Sequence, residues 1–451
     1  MGTETSPTGA LAGSIASLDH DDLPRDVLTL AKHCVLDTLG AAIAGASEPV
    51  VRRTWHSVSG EAAEGACTVL GAGRNAGGAT AALINGAAAH ALDYDDMQMT
   101  GMGGHPSAPL LPAVLAAAEE AGAHGRELLT AFVAGFEAEC RVGLAVSPGH
   151  YARGFHTTAT VGTFGAAAGT ARLLGLDAEH TEQALGIAAL SASGLKAMFG
   201  TMGKPLQTGR AASSGLLAAR LAAAGVTVAA DALFCPQGFA ATQTDRADPD
   251  AVRAPFGSPW HILQVLFKGH ASCYGTHASI DAIGLLRSND KLTAEQVDTI
   301  EIFVPSQQLA VCAIPRPATG LEGKFSLTYT TALSLLHGAS LDQGLFTDEA
   351  VRDQRVTAIT ERMRVTADDR LPALGSHVVV RLRDGRTLAA EVDRGVPAWS
   401  QEPAEQEDRL HTKFRALVEP VLGAGAAGTL VELVGHLEDL DDIRALTKEL
   451  T

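Results

Sequence analysis

Aromatic side chains are scarce in this chain: 3 Trp, 4 Tyr and 13 Phe make 4% of 451 residues. A pocket walled by rings, as a carbocation or a stacked base would need, is therefore disfavoured. Basic residues are outnumbered, 34 Lys and Arg against 51 Asp and Glu, for a formal charge of −17. No Lys/Arg run interleaved with aromatics occurs, so nucleic acid is not an expected partner. The six cysteines, Cys34, Cys67, Cys140, Cys235, Cys273 and Cys312, form no CxxC and no regular spacing. That argues against a disulfide scaffold or zinc ribbon and for reduced thiols. The Thr/Ser/Gly-rich start, Met1 to Gly13, lacks the basic-then-apolar pattern of a secretory signal. The apolar stretches are Ala/Gly-rich and interrupted by charges, so no membrane span is expected. A cytoplasmic location follows as the expectation.

What is abundant is the small side chain. Ala and Gly recur throughout a chain that is 46% hydrophobic, which predicts closely approaching helices. Helical periodicity runs over 24–46, 78–92, 108–122, 126–146, 157–174, 181–198, 206–224 and 228–235. The texture changes at Val297 to Val304, an alternating β-rich run ended by Pro305. Helical patterns at 323–337 and 347–358 follow, then strands at 362–366 and 377–383, and Asp384-Gly385 as a hairpin turn into 386–392. The pattern is helical again at 402–419, 425–436 and 438–450. The fold class is therefore mainly α: a large helical domain built from both chain ends (1–266 and 399–451) with a smaller α+β domain (267–398) acting as a lid. A site for a small molecule is expected in the cleft between them.

Three stretches carry chemistry-bearing residues. His90-Ala-Leu-Asp93-Tyr94-Asp95-Asp96, followed by Gly104-His105-Pro106-Ser107, sets three carboxylates and a loop histidine directly after an apolar helix. Such carboxylates can cap backbone donors, bind a metal or orient a basic residue; the competing reading is a solvated acidic loop. Gly154-Phe155-His156-Thr157-Thr158 precedes a helix whose free N–H groups favour anions, unless Thr157 simply caps it. Lys204 stands before Pro205 at a new helix start, with Arg210 further along, as a carboxylate or phosphate clamp would. Lys268, His270, Cys273 and His277 cluster near the expected domain junction. His277 and Asp281, four apart, would share a helix face as a His–carboxylate pair. No Cys–His signature accompanies Cys273.

Taken in order, Asp93-Tyr-Asp-Asp96, Gly104-His-Pro-Ser107, Gly200-Thr-Met-Gly-Lys204-Pro205, Cys273-Tyr-Gly-Thr-His277 and Gly323-Lys-Phe-Ser-Leu-Thr-Tyr329 resemble the MmgE/PrpD family across almost the whole chain. Members of that family dehydrate, decarboxylate or epimerise small polycarboxylates. The resemblance implies a helical domain from both chain ends, a lid, a homodimer and a site that uses neither cofactor nor metal. By matching motif, the implied site is Asp93, His105, His156, Lys204, Lys268, His277 and Tyr329. One departure stands out: where animal aconitate decarboxylases have Thr-Trp, this chain has Met97-Gln98-Met99 and a Gly-rich segment about two residues longer.

All three reactions require a proton to move while carbanion-like charge is stabilised. His105 and His156 would supply acid/base capacity, and Lys204, Lys268 and His277 fixed cations for a di- or tricarboxylate. His105 is the expected proton-transfer group, with Asp93 setting its tautomer or charge; Tyr329 would donate a hydrogen bond to a substrate oxygen. A lyase is the favoured reading, with an epimerase or a non-catalytic carboxylate-binding protein as alternatives. An Mg²⁺ site on Asp93, Asp95 and Asp96 lacks the further Asp of that pattern, and no zinc motif such as HExxH occurs.

Overall fold

The computed structural model describes residues 5–60, 65–312, 314–338 and 342–450. The first four residues of the stretch read for a signal pattern lie outside these. The longer helices are α1 (Pro7–Ser17), α2 (Arg25–Gly45), α3 (Gly78–Ala91), α4 (Ser107–Ala121), α5 (Gly125–Val146), α6 (Thr157–Leu173), α7 (Ala178–Ser191), α8 (Gly203–Ala223), α9 (His277–Asp290), α10 (Leu327–His337) and α11 (Pro403–Gly435). The protein is mainly helical. α1 is the helix that the composition of the N-terminal stretch hides: Ser6 accepts from the Gly9 amide, Pro7 opens the first turn, and Leu11, Ala12 and Ile15 are buried.

Small residues set the helix spacing, as the composition predicts. α8 packs on α3 and α6, and α5 on α6. Where α3 and α8 cross, Gly86 faces Gly209, and a Cβ on Gly209 would stand 2.1 Å from the Leu83 carbonyl oxygen. A methyl group at Gly209 does not fit, so the two backbones meet. This crossing matters for function, because α3 ends at His90 and Ala91 while α8 begins at Gly203 and Lys204. At the other end of the chain α11 packs along α2. Gly423, at φ 85°, breaks α11 into the two helical stretches read from the sequence. α2 and α11 are long and apolar enough to cross a membrane, but most of α2 is buried inside the protein.

Two short strands, β1 (Cys67–Val69) and β2 (Arg74–Ala76), pair early in the chain. The main sheet is β3 (Val297–Val304), β4 (Met363–Ala367), β5 (Gly375–Leu382) and β6 (Thr387–Asp393), in the order β4-β3-β5-β6. β3 runs parallel to β4 and antiparallel to β5. β5 and β6 form the hairpin expected at Asp384-Gly385, with Gly385 at φ 91°. Val297, Ile300, Ile302 and Val304 are buried, and α9 packs on β5 and β6. Buried apolar residues from Leu11 to Leu450, Ile300 among them, form one continuous core.

Several expected helices differ. Residues 228–235 form turns, because Asp231 takes a left-handed φ of 51° and its carboxylate accepts from Thr8. The helix expected over 438–450 shrinks to Arg444–Thr447, with Asp442 accepting from the Arg444 amide. The one expected over 181–198 stops at Ser191, and that over 347–358 reduces to Gln354–Thr360 with a 3₁₀ turn before it.

Candidate active site

α3 delivers the acidic loop. Asp93 follows its last turn in the left-handed region, at φ 51°, a conformation that Asp tolerates better than most residues. Its carboxylate is buried between two lysines. Lys204 Nζ lies 3.0 Å and Lys268 Nζ 2.6 Å from Asp93 Oδ1, and Lys268 also donates to the Asp93 carbonyl at 2.8 Å. Burial opposes ionisation of Asp93, but Lys204 and Lys268 outweigh it and hold the carboxyl well below its ordinary range. Helix α8 begins two residues before Pro205 rather than at it, so Lys204 occupies the first turn. Its ammonium also faces the Phe199 ring at 5.6 Å and the Phe325 ring at 5.4 Å. Those two rings stack on each other.

His105 is fixed by the start of α6. Its amide donates to Thr158 Oγ1 at 3.1 Å, and Thr157 Oγ1 donates to the Gly103 carbonyl at 2.6 Å. Thr157 thus ties down the loop instead of capping the helix. A Cβ on Gly104 would crowd both hydroxyls, at 2.8 and 2.9 Å. His105 Nδ1 lies 2.8 Å from the Asp96 carbonyl and 3.4 Å from Asp95 Oδ2, while Nε2 is 3.9 Å from Asp93. A carbonyl can only accept, so Nδ1 carries the proton and Nε2 is bare. The expectation that Asp93 sets this tautomer is corrected: Asp96, through its backbone, does so. The Asp96 side chain is bound by Ser107, and burial raises its carboxyl to about 7.

His156 has the opposite tautomer. Gln207 Oε1 accepts from the Leu195 amide at 2.9 Å, which orients its amide so that Nε2 donates to His156 Nδ1 at 2.6 Å. His156 Nε2 therefore bears the proton. A third imidazole, His90, lies 4.7 Å from the His105 ring and 5.8 Å from the His156 ring. Burial holds all three well below the usual histidine range; Lys204 adds to this at His90 and His156, and Asp95 opposes it at His105. The cluster is thus three neutral imidazoles around a clamped carboxylate. Donor atoms of His90, Asp95 and His105 fall within 4.8 Å of one another. That is close enough for a transition metal, though each Nδ1 already bonds an oxygen.

Two expected residues are placed differently. Tyr329 donates its hydroxyl to the Leu345 carbonyl at 2.9 Å instead of offering it to a substrate oxygen. His277 opens α9 buried against His270 and Tyr274, with Nε2 3.3 Å from the Ser272 carbonyl. The expected His277–Asp281 pair does not form, because Asp281 is taken by His270 at 3.0 Å and by Arg394 at 2.5 Å. Met97 packs with Leu266, Tyr274 and Leu374. A lysine that the motifs contain but do not single out, Lys324, borders the site. It donates to the Leu92 and Ala271 carbonyls, and burial lowers it to about 8.

Free space here amounts to about 10 Å³, lined by His90, Asp93, Gly200, Lys204, Lys324 and Phe325 among others. That is room for one water. A far larger cavity, about 830 Å³, lies beyond Lys268 against α11. Its described wall contains no imidazole, and Arg394, Arg409 and Lys413 are each paired with carboxylates. Acid/base capacity and clamped cations coincide in the small space, which we take as the candidate site.

A mainly helical scaffold thus brings buried imidazoles and ammonium groups together around the Asp93 carboxylate. The MmgE/PrpD N-terminal domain model matches residues 9–252 and the MmgE/PrpD C-terminal domain model residues 270–439. The chain belongs to the MmgE/PrpD family. It is 30% identical to the human cis-aconitate decarboxylase over 98% of this chain and 94% of that protein. To the Aspergillus terreus cis-aconitate decarboxylase it is 28% identical over 100% and 98%, and to a cis-aconitate decarboxylase-like protein of Aspergillus oryzae 29% over 98% and 97%.

Proposed function

We propose that this protein is a cofactor-independent lyase that releases CO₂ from a small tricarboxylate of the cis-aconitate type. The observation that carries the proposal is the Lys204–Asp93–Lys268 clamp set against three neutral imidazoles. Substrate carboxylates take over Lys204 and Lys324, two residues that border the space. A bound trianion favours proton uptake, and His105 accepts it at the bare Nε2, with Asp95 and Asp93 nearby to stabilise the imidazolium. As the C–CO₂ bond breaks, its electron pair shifts through the alkene toward the remaining carboxylate, whose developing charge faces the lysines. The proton held by the imidazole cluster is then delivered to the alkene carbon. His156, protonated at Nε2 and neutral, donates a hydrogen bond to a carboxylate oxygen.

Chain residues 267–398 act as a lid that opens over the remainder, and two copies form a cytoplasmic homodimer. Sedimentation as a monomer at micromolar concentration would contradict the dimer.

Incubation with cis-aconitate, methylcitrate, citrate and iminodisuccinate, read by mass spectrometry, tests the reaction. The expected result is loss of CO₂ from cis-aconitate. Loss of water from methylcitrate instead makes it a hydro-lyase, and isomerisation without mass change an epimerase. Tight binding with no turnover leaves a carboxylate-binding protein. Near wild-type turnover by His105→Ala removes His105 from its role. Stoichiometric metal in the active protein, with activity abolished by EDTA, overturns the cofactor-independent reading.

A further inference from the structure

His90 is not among the residues that the motifs single out, yet it, rather than His105 or His156, lines the free space beside Asp93, Lys204 and Lys324. It sits in the last turn of α3, 1% exposed. Its Nδ1 lies 2.7 Å from Oδ2 of Asp95, a carboxylate that is itself fully buried. The other ring nitrogen, Nε2, is buried without a hydrogen-bond partner among the described residues. A buried imidazole normally finds partners for both nitrogens, so an orphan Nε2 on a residue that lines a pocket marks a group awaiting a ligand. The same Asp95 oxygen stands 3.4 Å from His105 Nδ1, and the two rings meet edge to face at 4.7 Å. One carboxylate therefore backs two imidazoles, each with its bare nitrogen directed away from it.

On this geometry we infer that His90 is a catalytic residue: His90, Asp95 and His105 act as one proton-carrying unit, and His90 is the member that presents the proton to the substrate. The inference rests on the lyase reading and refines its proton step. In the free protein the two rings share no excess proton. Burial disfavours the charge at both rings and Lys204 and Lys268 add to this, while Asp93 opposes it at His90 and Asp95 at His105. Binding of a trianion adds the missing negative charge, and one proton enters from solvent. It resides on the pair, stabilised by Asp95, until carbon takes it as CO₂ leaves. Two imidazoles 4.7 Å apart, centre to centre, do not both become cations, because like charges at that separation repel. The pair therefore works as a unit, with Asp95 as its positioning residue.

The test combines kinetics with proton counting. His90→Asn keeps a donor toward Asp95 and removes the bare nitrogen. Wild type, H90N, H105N, D95N and the H90N/H105N double variant are compared for cis-aconitate turnover, after circular dichroism and thermal melting show which are folded. Calorimetric titration with tricarballylate, a saturated tricarboxylate that lacks the alkene the reaction needs, is run in buffers of different ionisation enthalpy and counts protons taken up. The expected results are a loss of about 100-fold or more in kcat for H90N with little change in KM, and a double variant no worse than the weaker single one. About one proton is expected on wild-type binding, and this uptake is lost in D95N and sharply reduced in H90N. Retention of kcat within about threefold by folded H90N, multiplying single losses in the double variant, or undiminished uptake in H90N overturns the proposal while leaving the lyase reading intact. Absence of both turnover and proton uptake in the wild type overturns the two together. Should H90N fail to fold, D95N and H105N carry the proton count by themselves, and undiminished uptake in both is then the overturning result.

Discussion

Gln207 has no chemistry of its own in this reaction class, yet it decides what His156 can do. By donating to Nδ1 it places the proton on Nε2. Gln207→Leu removes that donor and frees the tautomer. The lost hydrogen bond is worth about 1–3 kcal/mol, which at about 1.36 kcal/mol per tenfold corresponds to a fall in kcat of about 5- to 160-fold. KM should change little, but the melting temperature should fall as well, because the Leu195 amide and carbonyl also lose their Gln207 partners. Steady-state kinetics well below the melting temperature, where the variant is folded, separate the lost tautomer from destabilisation, since kcat falls there too. Lys324 offers a second check, through pH. Burial brings it down to about 8, so its ammonium titrates away above that value and KM for a tricarboxylate should climb as pH rises through 8. The stability contribution runs the other way. Between about 8 and 10.5 the unfolded chain binds the proton and the folded one does not, so folding is favoured increasingly as pH rises through this window. A rising KM with an unchanged or rising melting temperature is the signature of lost anion binding, and a falling melting temperature would contradict it. Asp93, His105, His156 and Lys204 can be picked from sequence because each stands in a short motif beside a helix end, and Lys268 because it stands in a motif within a loop. Gln207 and His90 cannot: their signal is one helical turn of spacing from Lys204 and Asp93, and an internal helix position looks the same whether its side chain packs or reacts.

At the scale of elements, the α3–α8 crossing joins packing to chemistry. Gly86 and Gly209 let the helices touch, and the contact sets the distance between the Asp93 loop and Lys204. Gly209→Ala places a methyl 2.1 Å from the Leu83 carbonyl, which backbone cannot yield cheaply. Overpacking of this kind costs about 1–3 kcal/mol. A lower denaturation midpoint is expected, together with a reduced kcat, since separating the helices moves Lys204 off Asp93. A variant with unchanged stability would show that the helices slide freely there. Helical periodicity with a Gly or Pro boundary, as over α2, α6 and α8, and alternation with a turn dipeptide, as in the β5–β6 hairpin, are legible within a few residues. Where periodicity misleads, short polar side chains win over it. Asp231 and Asp442 bond nearby backbone or hydroxyl groups and end helices that the apolar pattern would continue. Tyr329 and His277 depart from expectation for a different reason. Their partners, the Leu345 and Ser272 carbonyls, are backbone atoms, and a sequence motif gives no record of where a carbonyl will point.

For the whole molecule the decisive quantity is the free volume at the site, about 10 Å³. One water fits there, and a six-carbon tricarboxylate does not, so the proposed reaction at this site requires the pocket to widen. The parts that cover the pocket come from distant stretches of chain. Phe199 and Gly200 precede α8, while Leu321, Lys324 and Phe325 precede α10. The Phe199 and Phe325 rings stack with centroids 5.3 Å apart, and Gly200, at φ 78°, approaches Ile314 and Glu322. Lid opening must part these two segments, and hydrogen exchange resolves their separation. Amides of 196–205 and 314–326 should exchange faster than those of α3, α6 and α8, and saturating tricarballylate should slow them selectively, because the anion bridges Lys204 on one segment and Lys324 on the other. Exchange followed by mass spectrometry checks this with and without ligand. Protection confined instead to the rim of the larger cavity, at Phe267–Gly269 and the first turns of α11, would mean that anions enter and bind on the far side of Lys268. Such a result would move the site of chemistry to the opposite face of the Asp93 clamp.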